Sequence, residues 1–178
     1  MSNKFEILMH QLDMPLEMRN SEAFLNAEIE KVLVHKVSRV WEFHFSFANI
    51  LPIEIFRELQ KRLAQEFSKT GNQAIFEIHC QDPKVSDDLL QAYYQLAFEE
   101  GPCASHGFKS LYQDLRVHLD GDKLLIEGAS TIDTEHFRKN HLPNLSQQLV
   151  KYGFPHLTCQ VQHSDELTQQ QAENFQAE

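Results

Sequence analysis

The chain has 178 residues, a formal net charge of −10 and 42% hydrophobic residues. That length suits one domain or two small ones, with enough apolar content for a real core. The acidic balance argues against a phosphate-binding surface, which needs Lys and Arg in excess.

Cys80, Cys103 and Cys159 are widely spaced and form no CxxC pair, as expected of reduced thiols in an intracellular chain. The N-terminus lacks the apolar run of a signal peptide, and no stretch is long enough to cross a bilayer. A cytoplasmic protein with no membrane partner is the expectation.

In chain order, Lys4 to Leu12 reads as a short amphipathic helix, with Phe5, Leu8, Met9 and Leu12 on one face. Pro15 interrupts the helical pattern between Met14 and Met18, and Ser21 can cap another turn. This front segment needs a surface to pack on, either the body of the chain or a partner. Residues 30–37 are β-rich. Val40–Phe47 then alternates, with Trp41, Phe43, Phe45 and Phe47 on one side and Glu42, His44 and Ser46 on the other. Each fully buried ring contributes roughly 1.5–3 kcal/mol, so this strand belongs at the centre of a core. With Ser38-Arg39 as the turn, Val34 lies opposite Phe43 and Val32 opposite Phe45, apolar face against apolar face.

Pro52 opens a helix carrying Ile53, Phe56, Leu59, Leu63 and Phe67, which Gly71 stops. Residues 74–80 form a third strand. Ser86 caps a helix with Asp87 and Asp88 in its first turn and Leu89, Leu90, Tyr93, Leu96 and Ala97 inward. Gly101-Pro102 ends it, and Ser105 to Tyr112 reads as a short helical piece. A second hairpin comes next, with Asp120-Gly121 as its turn, Val117 facing Leu124 and Leu115 facing Ile126. A helix begins near Asp133 with Phe137 and Leu142 inward. Pro143 kinks or restarts it, and Gly153 stops the restart. His156 to His163 is the last strand, with Leu157, Cys159 and Val161 inward. The Gln- and Glu-rich tail reads as a solvated helix or linker that continues into a longer chain.

The order hairpin, helix, strand thus occurs twice, offset by about eighty residues, the scale of a small domain. Phe56-Arg57 and Phe137-Arg138 fall at matching places. The expected class is α+β: two small layers, each with helices on one face of a mainly antiparallel sheet. Whether there are one or two sheets is left open. The boundaries are 1–25 for the helical front, 26–84 and 85–163 for the two units, and 164–178 for the linker.

Chemistry is harder to find. His136 and His141 do not share a helix face well, and Cys159 and His163 lie roughly 13 Å apart at strand rise, too far for one ion. His35 and His44 fall on the outer face of the first hairpin. Cys103 with His106 could form a thiolate–imidazole couple, but a loop cysteine is the simpler reading. Asp87-Asp88, Glu99-Glu100 and Asp120/Asp122 read as caps, a helix end and a turn. The expected catalytic, metal and cofactor sites are therefore none. The element order has a KH-like look, yet the GXXG loop that clamps nucleic acid in those domains is missing.

The stretch Arg39-Val40-Trp41-Glu42-Phe43-His44-Phe45, with Leu51-Pro52 and a helix after it, resembles the N-terminal region of PolC-type DNA polymerase III α subunits, replicative polymerases of low-GC Gram-positive bacteria. The resemblance covers essentially the whole chain. It implies a parent that is a DNA-directed DNA polymerase with a 3′–5′ exonuclease, needing divalent metal ions at catalytic domains beyond this region. It also implies a non-catalytic segment with folds like KH type II and like the polymerase-binding domain of the clamp-loader τ subunit. The implied role is docking to replisome proteins, the clamp-loader τ-like subunit among them, with DNA reached through other domains. A KH-like nucleic-acid binder and a small thiol-based enzyme are the alternatives.

Overall fold

The computed structural model describes residues 2–100, 115–128 and 131–166, together with 169, 172 and 173. The chain divides into two compact units. The first holds Met1–Val85 with Val150–Pro155, and the second holds Ser86–Leu149 with His156–Glu178. The helical piece expected at 105–112, with Cys103 and His106, lies outside the described residues.

The first unit starts with helix α1 (Asn3–Gln11), capped by Ser2, whose Oγ accepts from the Phe5 amide at 3.4 Å. Pro15 precedes the short helix α2 (Leu16–Arg19), and Ser21 caps a 3₁₀ turn at Glu22–Phe24. Strands β1 (Glu28–His35) and β2 (Val40–Phe47) form an antiparallel hairpin. Helix α3 (Ile53–Ser68) carries the chain back along the sheet, so β3 (Gln73–Cys80) enters parallel to β2. The strand order is β1-β2-β3.

The alternation on β2 does what it promised. Phe43, Phe45 and Phe47 are buried, and Trp41 is half-buried with its ring 5.2 Å from that of Phe67. Phe5 of the front segment stands edge-on to Phe24, Phe45 and Phe47, at centroid distances of 5.3, 5.7 and 5.6 Å. The front segment therefore packs on the first unit of its own chain. Phe76 on β3 closes the other side, 5.6 Å from Phe45 and 5.1 Å from Phe56.

The second unit repeats the plan. Helix α4 (Asp87–Glu99) is capped by the Ser86 hydroxyl, which accepts from the Leu89 amide at 3.3 Å. Strands β4 (Leu115–Asp120) and β5 (Lys123–Gly128) are antiparallel, and β6 (Thr158–His163) joins β5 in parallel. Between them lie α5 (Thr131–Asn140) and α6 (Leu142–Lys151), with Pro143 in the first turn of α6, where a missing N–H costs nothing. Val117, Leu124, Ile126, Phe137, Leu145 and Leu149 are buried, while Leu142 is half-buried. Leu157, Cys159 and Val161 are only half-buried, because β6 is an edge strand.

The α+β class therefore holds, with two sheets rather than one. Each sheet is mixed, one ladder antiparallel and one parallel, where mainly antiparallel pairing was expected. The helical connection before each third strand is the reason, since it returns the chain to the same end of the sheet.

Both hairpin registers differ from the expected ones by two residues. Val32 faces Phe43 and Val34 faces Trp41, because the turn spans Lys36–Arg39 rather than Ser38-Arg39 alone. Arg39 takes a positive φ of 58° there, and its guanidinium donates to the Thr70 carbonyl at 2.9 Å. In the second hairpin Val117 faces Ile126 and Leu115 faces Gly128. Its turn is Gly121-Asp122, with Gly121 at φ 64°, the first central position that a type II′ turn gives to glycine. A slip of two residues keeps every side chain on its original face, so the faces were right while the partners were not.

Candidate docking surfaces

Each sheet buries one face behind helices and turns the other outward. On the first sheet the other face of β2 carries Glu42 and His44, both half-buried, and Ser46, which is buried and accepts from Gln81 at 3.4 Å. The register places Leu33 and Ile75 on either side of Glu42, and Lys31 and Glu77 on either side of His44. A β-bulge between Ile29 and Lys31 turns Glu30 out beside His79.

The result is a network of imidazoles and carboxylates. His44 sits between two acids, with Nε2 3.7 Å from Glu42 and Nδ1 3.7 Å from Glu77. His35 lies 3.5 Å from Glu42, and His79 Nδ1 lies 3.2 Å from Glu30. Glu30, His44, Glu77 and His79 share a cleft of about 60 Å³. The exposed His79–Glu30 pair contributes roughly 0–1 kcal/mol to folding, whereas the side chains of His44 and Glu42 are half-buried. Among the described residues, no three His, Cys, Asp or Glu side chains gather in a way that could hold a metal ion.

The second unit has a smaller counterpart. Arg116 on β4 lies 4.0 Å from Glu127 and 3.5 Å from Glu166, and Gln162 donates to Glu127 at 2.9 Å. Asp87, expected only as a helix-start residue, also accepts from the Leu119 amide at 2.7 Å and ties α4 to β4.

The first unit also holds a groove of about 450 Å³ between β3 and the Val150–Pro155 segment. Gly153 makes the close approach there, with φ 107°. A Cβ at that position would lie 2.6 Å from Cys80 Sγ. Nothing in the spacing of residues foretold this return of the chain. The only hint was the apolar pair Phe154-Pro155 just after the helix-stopping glycine.

The two described thiols, Cys80 and Cys159, are poorly placed for chemistry. Burial raises the Cys80 pKa to about 11. Burial also raises that of Cys159, and the nearby Ser146 hydroxyl, 3.2 Å away, offsets this only in part. Both sulfurs are protonated at neutral pH, and the thiol is a far weaker nucleophile than the thiolate. Cys159 is turned to Ser146, whereas His163 pairs with Asp165 at 3.3 Å. His136 and His141 do come together, at a centroid distance of 5.3 Å, because α5 ends just before His141. Burial first, and then the charge of His136, lower the His141 pKa.

Two copies of a hairpin–helix–strand plan, each with a packed inner face and a polar outer one, define a duplicated α+β module. Comparison with known families gives it a place. The family described as DNA polymerase III polC-type N-terminus I matches residues 4–78, and DNA polymerase III polC-type N-terminus II matches residues 92–178. The chain belongs to the N-terminal region of the PolC-type DNA polymerase III family.

Over its full length it is 96% identical to a DNA polymerase III PolC-type of Streptococcus sanguinis (strain SK36) and 63% identical to that of Streptococcus pneumoniae (strain ATCC BAA-255 / R6). Over 98% of its length it is 48% identical to that of Streptococcus pyogenes serotype M5 (strain Manfredo). In each case the chain spans 12% of the length of the curated relative. No solved structure matches. Among the described residues, no helix is long and apolar enough to cross a membrane.

Proposed function

We propose that this chain is the non-catalytic, protein-docking N-terminal module of a PolC-type replicative DNA polymerase. The whole protein is then a cytoplasmic DNA-directed DNA polymerase with a 3′–5′ exonuclease, using divalent metal ions in its catalytic domains. The module binds replisome proteins, with the clamp-loader τ-like subunit first among them, and DNA is reached through other domains of the parent. The observation that carries this reading is the match of both halves to the PolC-type N-terminal families. It is supported by the identity of 96% over the whole chain to a DNA polymerase III PolC-type of which the chain spans 12%.

Capture of purified replisome subunits by the immobilised chain, clamp-loader components first, tests it. Retention of a clamp-loader subunit at physiological salt is the expected result. Extension of a primed template by the chain alone would overturn the non-catalytic assignment. A KH-like nucleic-acid role would instead give DNA binding that weakens steeply with added salt.

A further inference from the structure

The outward face of the first sheet joins apolar side chains to acids. Leu33 on β1 and Ile75 on β3 flank Glu42 and are 40 and 43% exposed. One row along the strands, Lys31 and Glu77 flank His44. Glu30 and His79 stand beyond them, paired at 3.2 Å. Among the described residues, the ion-pair partners of Glu30, Glu42 and Glu77 are histidines, and none is Lys or Arg.

Histidine leaves these acids short of donors. A neutral imidazole carries one N–H. His44 has Glu42 3.7 Å from Nε2 and Glu77 3.7 Å from Nδ1, so in that form it serves one carboxylate and turns a lone pair to the other. Its Nε2 is buried and, among the described residues, has no hydrogen-bond partner. A cation brought from outside completes the set, whereas the phosphates of a nucleic acid are repelled.

Spacing narrows the form of the ligand. Ile75 and Glu77 stand two residues apart on one strand, so their side chains leave the same face about 6.6–6.8 Å apart. A helical step from i to i+4 is about 6 Å. A helix lying along β3 can set an apolar side chain against Ile75 and a Lys or Arg, four residues on, against Glu77. The other face of this sheet is already covered by helices, with Phe5 of α1 against Phe45 and Phe56 of α3 against Phe76.

We propose that this face docks a basic amphipathic helix of a protein partner, with apolar side chains against Leu33 and Ile75 and Lys or Arg among Glu30, Glu42 and Glu77. The inference deepens the docking role proposed above and rests on it.

A fluorescein-labelled helical peptide of leucine and lysine, about 18 residues long, probes the face by anisotropy at physiological salt. Saturable binding to the chain is expected, and a matched peptide with glutamate for lysine should not bind. Glu30→Lys with Glu77→Lys should weaken binding about ten-fold, and Ile75→Ser should weaken it several-fold. The same charge change at exposed sites in the second unit, Glu135→Lys with Asp165→Lys, should leave affinity within about two-fold. Circular dichroism checks that each variant is folded, and Ile75→Ser carries the test if the double reversal is not. No saturable binding, or equal losses from the two double reversals, would overturn the proposal. Capture of the clamp-loader subunit separates this inference from the docking role. Capture that survives the face substitutions overturns the inference and leaves the role standing. No capture of any replisome subunit by the unsubstituted chain overturns the role, and the inference with it.

Discussion

Phe45 and Val34 look alike in sequence, both apolar and both on the inner face of the first hairpin. The structure separates them. Phe45 is fully buried, with the rings of Phe5, Phe43, Phe47 and Phe76 at 5.7, 5.7, 5.9 and 5.6 Å. Phe45→Ala removes a whole ring from a site walled by other rings and by sheet backbone, which cannot collapse to fill it. A loss of about 3–5 kcal/mol is expected, the upper part of the range because four aromatic contacts go with it. Val34 is 46% exposed, so Val34→Ala should cost less than about 1 kcal/mol.

Trp41 is the only tryptophan and lies in the first unit, so its fluorescence reports that unit even if the two unfold separately. In urea, with a slope of about 1–2 kcal/mol/M, Phe45→Ala should lower the midpoint by roughly 2 M or more, and Val34→Ala by well under 1 M. Equal shifts for the two variants would refute the placement of the core.

Glycine geometry and titration give three more expected outcomes. Gly121 and Gly153 both have positive φ, but an added Cβ meets nothing at Gly121 and lies 2.6 Å from Cys80 Sγ at Gly153. Thermal melts should therefore show Gly121→Ala costing about 1 kcal/mol and Gly153→Ala clearly more. The raised Cys80 pKa means the folded state holds that proton more tightly than the unfolded state. Its stabilising effect is complete below about pH 9 and is lost as pH rises toward 11; the difference between the chain and Cys80→Ala should fall by about 2–3 kcal/mol over that window in urea titrations. His141 has the opposite sign. Its lowered pKa disfavours the charged ring in the fold, so the second unit should lose stability as pH falls below the ordinary histidine range, and His141→Gln should flatten that dependence in pH-dependent melts.

Much of the architecture was legible because it rests on period and punctuation. The alternation from Trp41 to Phe47 gave the central strand. Gly71 and Gly153 gave the helix ends, and Ser86 gave the cap. The repeat was visible as a matched order of elements, and both copies share one strand order. Partner registers were not legible, since a slip of two residues preserves every face and only the turn backbone decides between alternatives. The parallel third strands were missed because pairing direction depends on where a helix returns the chain. The exposure of Val32 and Val34 was missed because an edge strand and a central strand share the same alternation. The His44 network was half visible as outward residues, but its acids come from strands distant in sequence.

The measurement that tests the account most directly is calorimetric titration of this chain with a purified clamp-loader τ-like subunit, run beside single-stranded DNA. Saturable binding to the protein, with little heat from DNA at physiological salt, is the predicted result. No binding to the subunit, together with DNA binding that collapses as salt rises, would contradict it.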